Sequence, residues 1–113
     1  MHNIKLNARK SGRTSKMIEE AIELQNQGRA IYILCTQESI QYIEELAHKI
    51  CSTKNIELPQ SIKFETIQSI GRETIDWKNC SLYGAHPNCR LLIDHYVWEK
   101  EFGWAINGFH KYD

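Results

Sequence analysis

The sequence predicts an α/β domain in which a mostly parallel sheet of four to five strands lies between two layers of helices. Two observations support this fold class. Short apolar runs of strand length alternate along the chain with amphipathic stretches of helical period. The runs are continuous rather than alternating, which is typical of parallel strands covered on both faces. A length of 113 residues predicts one domain over residues 1–113.

The first predicted element is a short strand at Ile4–Leu6. A polar, basic loop at Asn7–Thr14 joins it to a helix over Thr14–Gln27, which Gly28 ends. A second strand follows at Ala30–Cys35. The helix is indicated by apolar residues at helical spacing: Met17, Ile18, Ala21, Ile22 and Leu24.

The middle of the chain predicts one more helix and one more strand. Thr36 can cap this helix, and Glu38 lies in its first turn, where an acid is favourable. A polar connection over Ser52–Ser61 leads to a third strand at Ile62–Thr66. The helix carries one apolar face: Ile40, Ile43, Leu46, Ala47 and Ile50.

The last part of the chain continues the alternation. Ile67–Trp77 is predicted as a short helix, and Asn79–Asn88 as a loop. A fourth strand at Arg90–Asp94 ends in an acid and leads into a helix over His95–Phe102. The carboxyl ends of the strands are where ligands bind in sheets of this kind, so an acid at the end of a strand is a candidate site residue.

The Asn7–Thr14 loop partly matches the phosphate-binding pattern G-x-x-x-x-G-K-[ST]. Gly12 and Thr14 match it, whereas Asn7 replaces the first glycine and Arg13 replaces the lysine. Backbone amides at a helix start, with the helix dipole, favour a phosphate there. The predicted ligand-binding residues are Asn7, Ala8, Arg9, Lys10, Ser11, Gly12, Arg13, Thr14 and Ser15.

The charge pattern also favours an anionic ligand near this loop. The net charge is zero, so no global attraction to nucleic acid or membrane is expected. Five basic residues nevertheless precede the first acid, Glu19, and such a cluster attracts anions. Thr36, Thr66 and Asp94 are predicted at the same edge of the sheet as the loop. The basic residues are Lys5, Arg9, Lys10, Arg13 and Lys16.

These segments resemble P-loop NTPases. Leu91–Asp94 looks like the Walker B strand, whose aspartate orients magnesium through water. Ile31–Thr36, followed by a helix, is similar to the second strand of helicases and phage terminase motors. Phe64–Ile70 looks like the strand, threonine and helix that precede Walker B in superfamily 1 helicases. Ala8–Thr14 is similar to the A-R-x-x-G-K-[ST] loop of terminases and small phage ATPase-like proteins. The resemblance covers roughly residues 3–102 and rests on short motifs.

The resemblance implies a small, phage-type nucleotide-binding protein that takes ATP or another NTP with Mg²⁺. It assigns Thr14 and Asp94 to the metal, and Asp94 and His95 to the catalytic positions. Arg13 and His95 stand where active relatives carry lysine and glutamate, so weak or absent hydrolysis is expected. The alternative is a catalytically inactive interaction module that binds and inhibits or regulates a protein or nucleic-acid machine.

The cysteines and termini predict a cytoplasmic protein with no membrane partner. Cys35 and Cys51 fall on apolar elements and are expected to be buried thiols. Nothing at the start of the chain resembles a signal peptide, and no apolar run has membrane-spanning length. Cys80, His86 and Cys89 could ligate zinc, but their spacing is not a standard knuckle, and ordinary loop roles are favoured.

Aromatic residues are frequent at the C-terminus. Trp98 and Phe102 are expected in the core. Residues 104–113 are predicted as a tail, with a possible short fifth strand at Trp104–Ile106. Because exposed aromatic residues stack on bases or anchor protein partners, the part of the chain after Gly103 is the candidate interface with a protein or nucleic acid.

Overall fold

The computed structural model describes the backbone of residues 3–103 and the side chains of residues 12–103. Helices and short strands alternate through these residues. A 3₁₀-helix at Arg72–Thr74 connects α3 to β3. The elements are α1 (Asn3–Asn26), β1 (Ala30–Cys35), α2 (Ile40–Thr53), β2 (Ile62–Thr66), α3 (Ile67–Ile70), β3 (Ile75–Asp76), β4 (Ser81–Leu82), β5 (Cys89–Ile93) and α4 (His95–Phe102).

The main sheet is parallel and has the strand order β2-β1-β5. Ile33 in the central strand is in register with Phe64 of β2 and Leu92 of β5. The apolar run of β1 is therefore covered on both faces, which is why it does not alternate with polar residues. The predicted α/β class with a parallel sheet is confirmed. The described residues contribute three strands to this sheet rather than four or five.

Two apolar clusters form, one on each face of the sheet. Side chains from alternate positions of the strands supply each cluster, as the two-residue period of a strand requires. The cluster under α1 and α2 is Met17, Ile18, Ala21, Ile22, Ile31, Ile33, Cys35, Ile43, Ala47, Cys51, Ile62, Leu92 and Tyr96. The cluster under α4 and the β3–β4 hairpin is Leu34, Ile75, Leu91, Ile93, Val97 and Trp98.

The predicted strand at Ile4–Leu6 and the predicted loop at Asn7–Thr14 are wrong for this structure. Both lie within α1, which runs without a break from Asn3 to Asn26. The segment that suggested a strand has only two apolar residues, Ile4 and Leu6, which are too few to distinguish the two periods. The segment contains no proline, and its lysine and arginine residues favour helix. The helix therefore continues back through Gly12.

The predicted helix over Ile67–Trp77 is also wrong beyond Ile70. Gly71 adopts φ 91°, and its N–H donates to the carbonyl of Ile67 at 2.8 Å, which closes the last turn. That left-handed backbone favours glycine. The chain then forms β3, which pairs antiparallel with β4. The predicted loop at Asn79–Asn88 therefore contains a short strand.

Three elements were predicted with their observed bounds: β1, β2 and α4. The N-cap position of α2 is Ser39, three residues after the predicted cap, Thr36, whose hydroxyl accepts the N–H of Ser39 in the turn before the helix. Trp98 is buried as expected, whereas Phe102 is 39% exposed. The predicted fifth strand at Trp104–Ile106 and the predicted tail lie outside the described residues.

Candidate functional site

Polar residues follow all three strands of the main sheet at one edge. Because the strands are parallel, their carboxyl ends lie side by side. Thr66 ends β2, Thr36 follows β1 and Asp94 follows β5. The N–H of Asp94 donates to the carbonyl of Leu34 at 3.1 Å, which fixes the end of β5 against β1. The predicted convergence of these three residues at one edge is present.

The two threonines at this edge are engaged in local turns. Thr66 is the N-cap of α3, where its hydroxyl accepts from the N–H of Ser69 at 3.2 Å. The hydroxyl of Thr36 accepts from the N–H of Ser39 at 3.1 Å, and the hydroxyl of Ser39 accepts from the N–H of Thr36 at 3.2 Å. These contacts satisfy helix-start donors. The local structure thus accounts for both side chains without a ligand.

Asp94 makes a contact that joins distant parts of the chain. The hydroxyl of Thr14 in α1 donates to Oδ1 of Asp94 at 3.1 Å, across 80 positions of sequence. Thr14 is 0% exposed and Asp94 is 1% exposed. A threonine hydroxyl and a carboxylate are both oxygen ligands suited to Mg²⁺. The two residues to which the sequence assigns a metal role are therefore direct neighbours.

The carboxylate of Asp94 also begins α4. Its Oδ2 accepts the N–H of Tyr96 at 3.1 Å, which makes Asp94 the N-cap of that helix. Nδ1 of His95 lies 3.6 Å from Oδ1 of Asp94. Asp94 thus holds α1 and α4 to the end of β5, while His95 is buried beside it.

Burial controls the ionisation of Asp94. It raises the pKa of the Asp94 carboxyl from 3.8 to about 7. The hydrogen bonds from the Tyr96 N–H and the Thr14 hydroxyl oppose this rise, and the charge of Glu99 adds to it. A cation placed beside this carboxyl favours the ionised form.

The charge of Asp94 also shifts the pKa of other buried groups. Burial raises the pKa of the Cys35 thiol, and Asp94 raises it further. Burial likewise raises the pKa of Tyr96, with Asp94 adding to the effect and Arg13 acting against it. Arg13 is thus close enough to supply positive potential to this corner. An anion bound near Arg13 would experience the same potential.

The structure does not form a phosphate-cradling loop from the predicted ligand-binding residues. The backbone of residues Asn7–Ser15 is helical, so its amides are directed along the helix axis to carbonyls four residues earlier. Gly12 is exposed, and nothing lies within 4 Å of a Cβ built there. Arg13 and Ser15 are half-buried. Thr14 is in contact with Asp94.

Two ion pairs at the same edge were not predicted. Nζ of Lys100 lies 3.1 Å from Glu38, and Nη2 of Arg72 lies 2.8 Å from Oε1 of Glu101. They tie α4 to the segments after β1 and α3. The partners of each pair are far apart in sequence, so no local pattern could have indicated them. Exposed pairs of this kind contribute about 0–1 kcal/mol each to stability.

A zinc site at Cys80, His86 and Cys89 has no support in the described part of the chain. Within it, no group of three or more His, Cys, Asp or Glu side chains is arranged to hold a metal ion. Nδ1 of His86 accepts the N–H of Asn88 at 3.0 Å.

No protein-family model, curated protein or solved structure matches the chain. Of the helices in residues 3–103, none combines the length and the apolar character needed to cross a membrane.

Proposed function

We propose that the chain is a small P-loop-type protein that binds a nucleoside triphosphate, or another phosphate ligand, together with Mg²⁺. The ligand would bind at the carboxyl edge of the parallel sheet. Hydrolysis is expected to be weak or absent. Thr14 and Asp94 are the proposed metal-binding residues, and Arg13 is the proposed phosphate contact.

The hydrogen bond between Thr14 and Asp94 carries this proposal. It brings a hydroxyl and a carboxylate together at 3.1 Å in the interior. A buried aspartate costs free energy unless it is compensated, and a cation would supply that compensation. Mg²⁺ commonly takes only one or two protein ligands, with phosphate oxygens and water completing its shell. Two side chains are therefore a sufficient protein contribution.

The proposed bound state requires α1 to open at its N-terminal end. Thr14 and Asp94 are buried, so a metal can reach them only if a covering segment moves. Two features lower the stability of the beginning of α1: its first turn has no acid, and Gly12 lies in its interior. In the proposed state the turn of α1 around Gly12 unwinds into a loop, so that backbone amides there can meet a phosphate.

The substitution Gly12→Ala should have opposite effects on the helical free protein and on the proposed ligand-bound state. In the helix an added methyl group meets open space, and alanine is the better helix former by about 1 kcal/mol. The free protein should therefore become slightly more stable in thermal unfolding. In the proposed loop the same methyl group would obstruct the phosphate, so affinity for Mg-ATP should fall about tenfold or more, which corresponds to at least about 1.4 kcal/mol.

The test is a titration of parent, Gly12→Ala and Glu23→Ala with ATP and GTP, with and without Mg²⁺, followed by a turnover assay. Glu23 is exposed in the same helix, so Glu23→Ala controls for helix stability alone. Metal-dependent saturable binding by the parent and by Glu23→Ala, lost in Gly12→Ala, is the expected result. Equal affinity in all three variants would reject the Gly12 loop. Absence of binding by the parent would reject the nucleotide site.

A second candidate function is a catalytically inactive module that binds a protein or nucleic-acid machine. It is favoured by Phe102, which is partly exposed at the end of α4 and packs edge-on against Trp77 with ring centroids 5.1 Å apart. Exposed aromatic residues on a rigid support are common interface anchors. The titration decides between the two functions, because an interaction module needs no nucleotide.

A further inference from the structure

Cys80 and Cys89 enclose an exposed loop and line one cavity. Residues 83–88 are exposed, and each cysteine flanking this segment is half-buried. The cavity has a volume of about 360 Å³. Its walls come from the stretches on both sides of the loop: Asn79, Cys80, Ser81, Leu82, Ala85, His86, Pro87, Cys89, Arg90 and Leu91. Two thiols from opposite sides of the loop thus border one space.

Both thiols lie on the same face of the main sheet. Cys80 packs against the apolar cluster that contains Leu91 and Ile93. Cys89 is two and four residues before these positions in β5, so the two-residue period of the strand directs its side chain to that face. If the two cysteine side chains lay on opposite faces of the sheet, a bond between their sulfurs would be excluded. Because they share a face and a cavity, such a bond is permitted.

We propose that Cys80 and Cys89 are a redox-active pair that forms an intramolecular disulfide and closes the loop between them. Ser81–Leu82 of β4 lies beside β5, which keeps the two ends of the loop close. The loop itself contains Gly84, with φ 76°, and Pro87. Cys80 has φ 51°, a left-handed conformation that is uncommon outside glycine. The inference is independent of nucleotide binding.

The oxidant we propose is a small-molecule disulfide such as oxidised glutathione. The Cys80 thiolate attacks one sulfur of glutathione disulfide, the S–S bond breaks and one glutathione leaves as a thiolate. The Cys89 thiolate then attacks the Cys80 sulfur and expels the second glutathione. The protein dithiol loses two electrons and two protons, and the glutathione disulfide gains them.

The reactivity of the four cysteines is expected to differ. Burial raises the pKa of the Cys89 thiol, which makes its thiolate scarcer. Cys35 and Cys51 are each 1% exposed. Burial also raises the pKa of both. These two thiols should therefore stay reduced while the pair reacts.

The test uses the reduced full chain, equilibrated with glutathione disulfide at neutral pH, then denatured, alkylated and weighed intact. The parent should lose two hydrogen atoms, carry no glutathione and retain two alkylated thiols. Peptide mapping should join Cys80 to Cys89. As a second readout, chymotrypsin cleavage after the exposed Tyr83 should leave fragments that separate only under reducing conditions.

Three variants complete the test. A variant with Cys35→Ser and Cys51→Ser should behave as the parent does. Cys80→Ser and Cys89→Ser should each fail to lose two hydrogen atoms and should instead accept at most one glutathione at the remaining partner. Two separate glutathione adducts on the parent, an unreacted pair, or a bridge to Cys35 or Cys51 would overturn the proposal.

Discussion

Asp94→Asn is expected to make the free protein more stable at pH 7 while weakening its affinity for Mg²⁺. Asparagine has the size of aspartate but no charge to bury. Its amide can keep both contacts, since the oxygen can accept from the Tyr96 N–H and the nitrogen can donate to the Thr14 hydroxyl. The parent carries the cost of a carboxylate that is 1% exposed.

The raised pKa of Asp94 determines how the stability of the parent changes with pH. Burial raises the pKa of the Asp94 carboxyl from 3.8 to about 7, so the folded chain holds a proton that the unfolded chain releases. This stabilising contribution is present below pH 4 and is lost as the pH rises to about 7. The free energy of unfolding of the parent should therefore fall across that window, by on the order of 4 kcal/mol.

Chemical denaturation at pH 5 and pH 8 measures this difference. Asp94→Asn should show a smaller loss of stability between the two pH values than the parent. Glu38→Gln is the matched control, because Glu38 is an exposed acid whose pKa is lowered by its own backbone and by Lys100. Glu38→Gln should show the same pH dependence of stability as the parent. A parent whose stability is unchanged from pH 5 to pH 8 would contradict the account.

His95→Glu is expected to destabilise the free protein and to increase its dependence on Mg²⁺. His95 is 2% exposed and lies directly beside Asp94. Two buried carboxyl groups at adjacent positions resist ionisation together. The loss at pH 8 should be on the order of 3 kcal/mol, the cost of a buried charge without compensation. It should be smaller at pH 5, where the carboxyl groups are protonated.

The measurement is thermal unfolding of His95→Glu with and without Mg²⁺ and ATP. The ligands should raise the melting temperature of this variant more than that of the parent, because a cation neutralises the added charge. His95→Gln removes the imidazole without adding charge and should show no such gain. Combined with Arg13→Lys, His95→Glu should also raise ATP turnover above the parent. No Mg²⁺-dependent gain in stability would count against a metal site beside Asp94.

The parts of the fold that the sequence predicts best are those with an unambiguous local pattern. Ala30–Cys35 is a continuous apolar run of strand length, and the structure makes it the central strand. Ile62–Thr66 and His95–Phe102 are likewise bounded as predicted. In each case burial, period and end signals agree.

The errors occur where short segments carry weak or conflicting signals. Ile4–Leu6 is a strand in the prediction and a helix in the structure. Gly71 lies inside the predicted helix Ile67–Trp77, yet its positive φ ends α3. Thr36 and Ser39 are both acceptable N-caps, and the turn geometry that selects Ser39 does not follow from residue type.

For the candidate site, the sequence indicates candidate residues but not the structural setting in which they lie. The roles of Thr14 and Asp94 came from motif positions, and the structure places these two residues in contact. Their burial depends on how α1 and α4 pack together, and no local sequence pattern specifies that packing. The ion pairs of Lys100 and Arg72 are also long-range, so they could not be predicted from neighbouring residues.

A double-mutant cycle on Mg-ATP affinity tests the central claim most directly. Calorimetric titration of parent, Thr14→Val, Asp94→Asn and the double variant supplies the four affinities. If both side chains hold one metal, each single change should weaken binding, and the double change should cost less than the sum, with a coupling of about 0.5–3 kcal/mol. Equal affinity in all four proteins, or no Mg²⁺-dependent binding by the parent, would contradict the account.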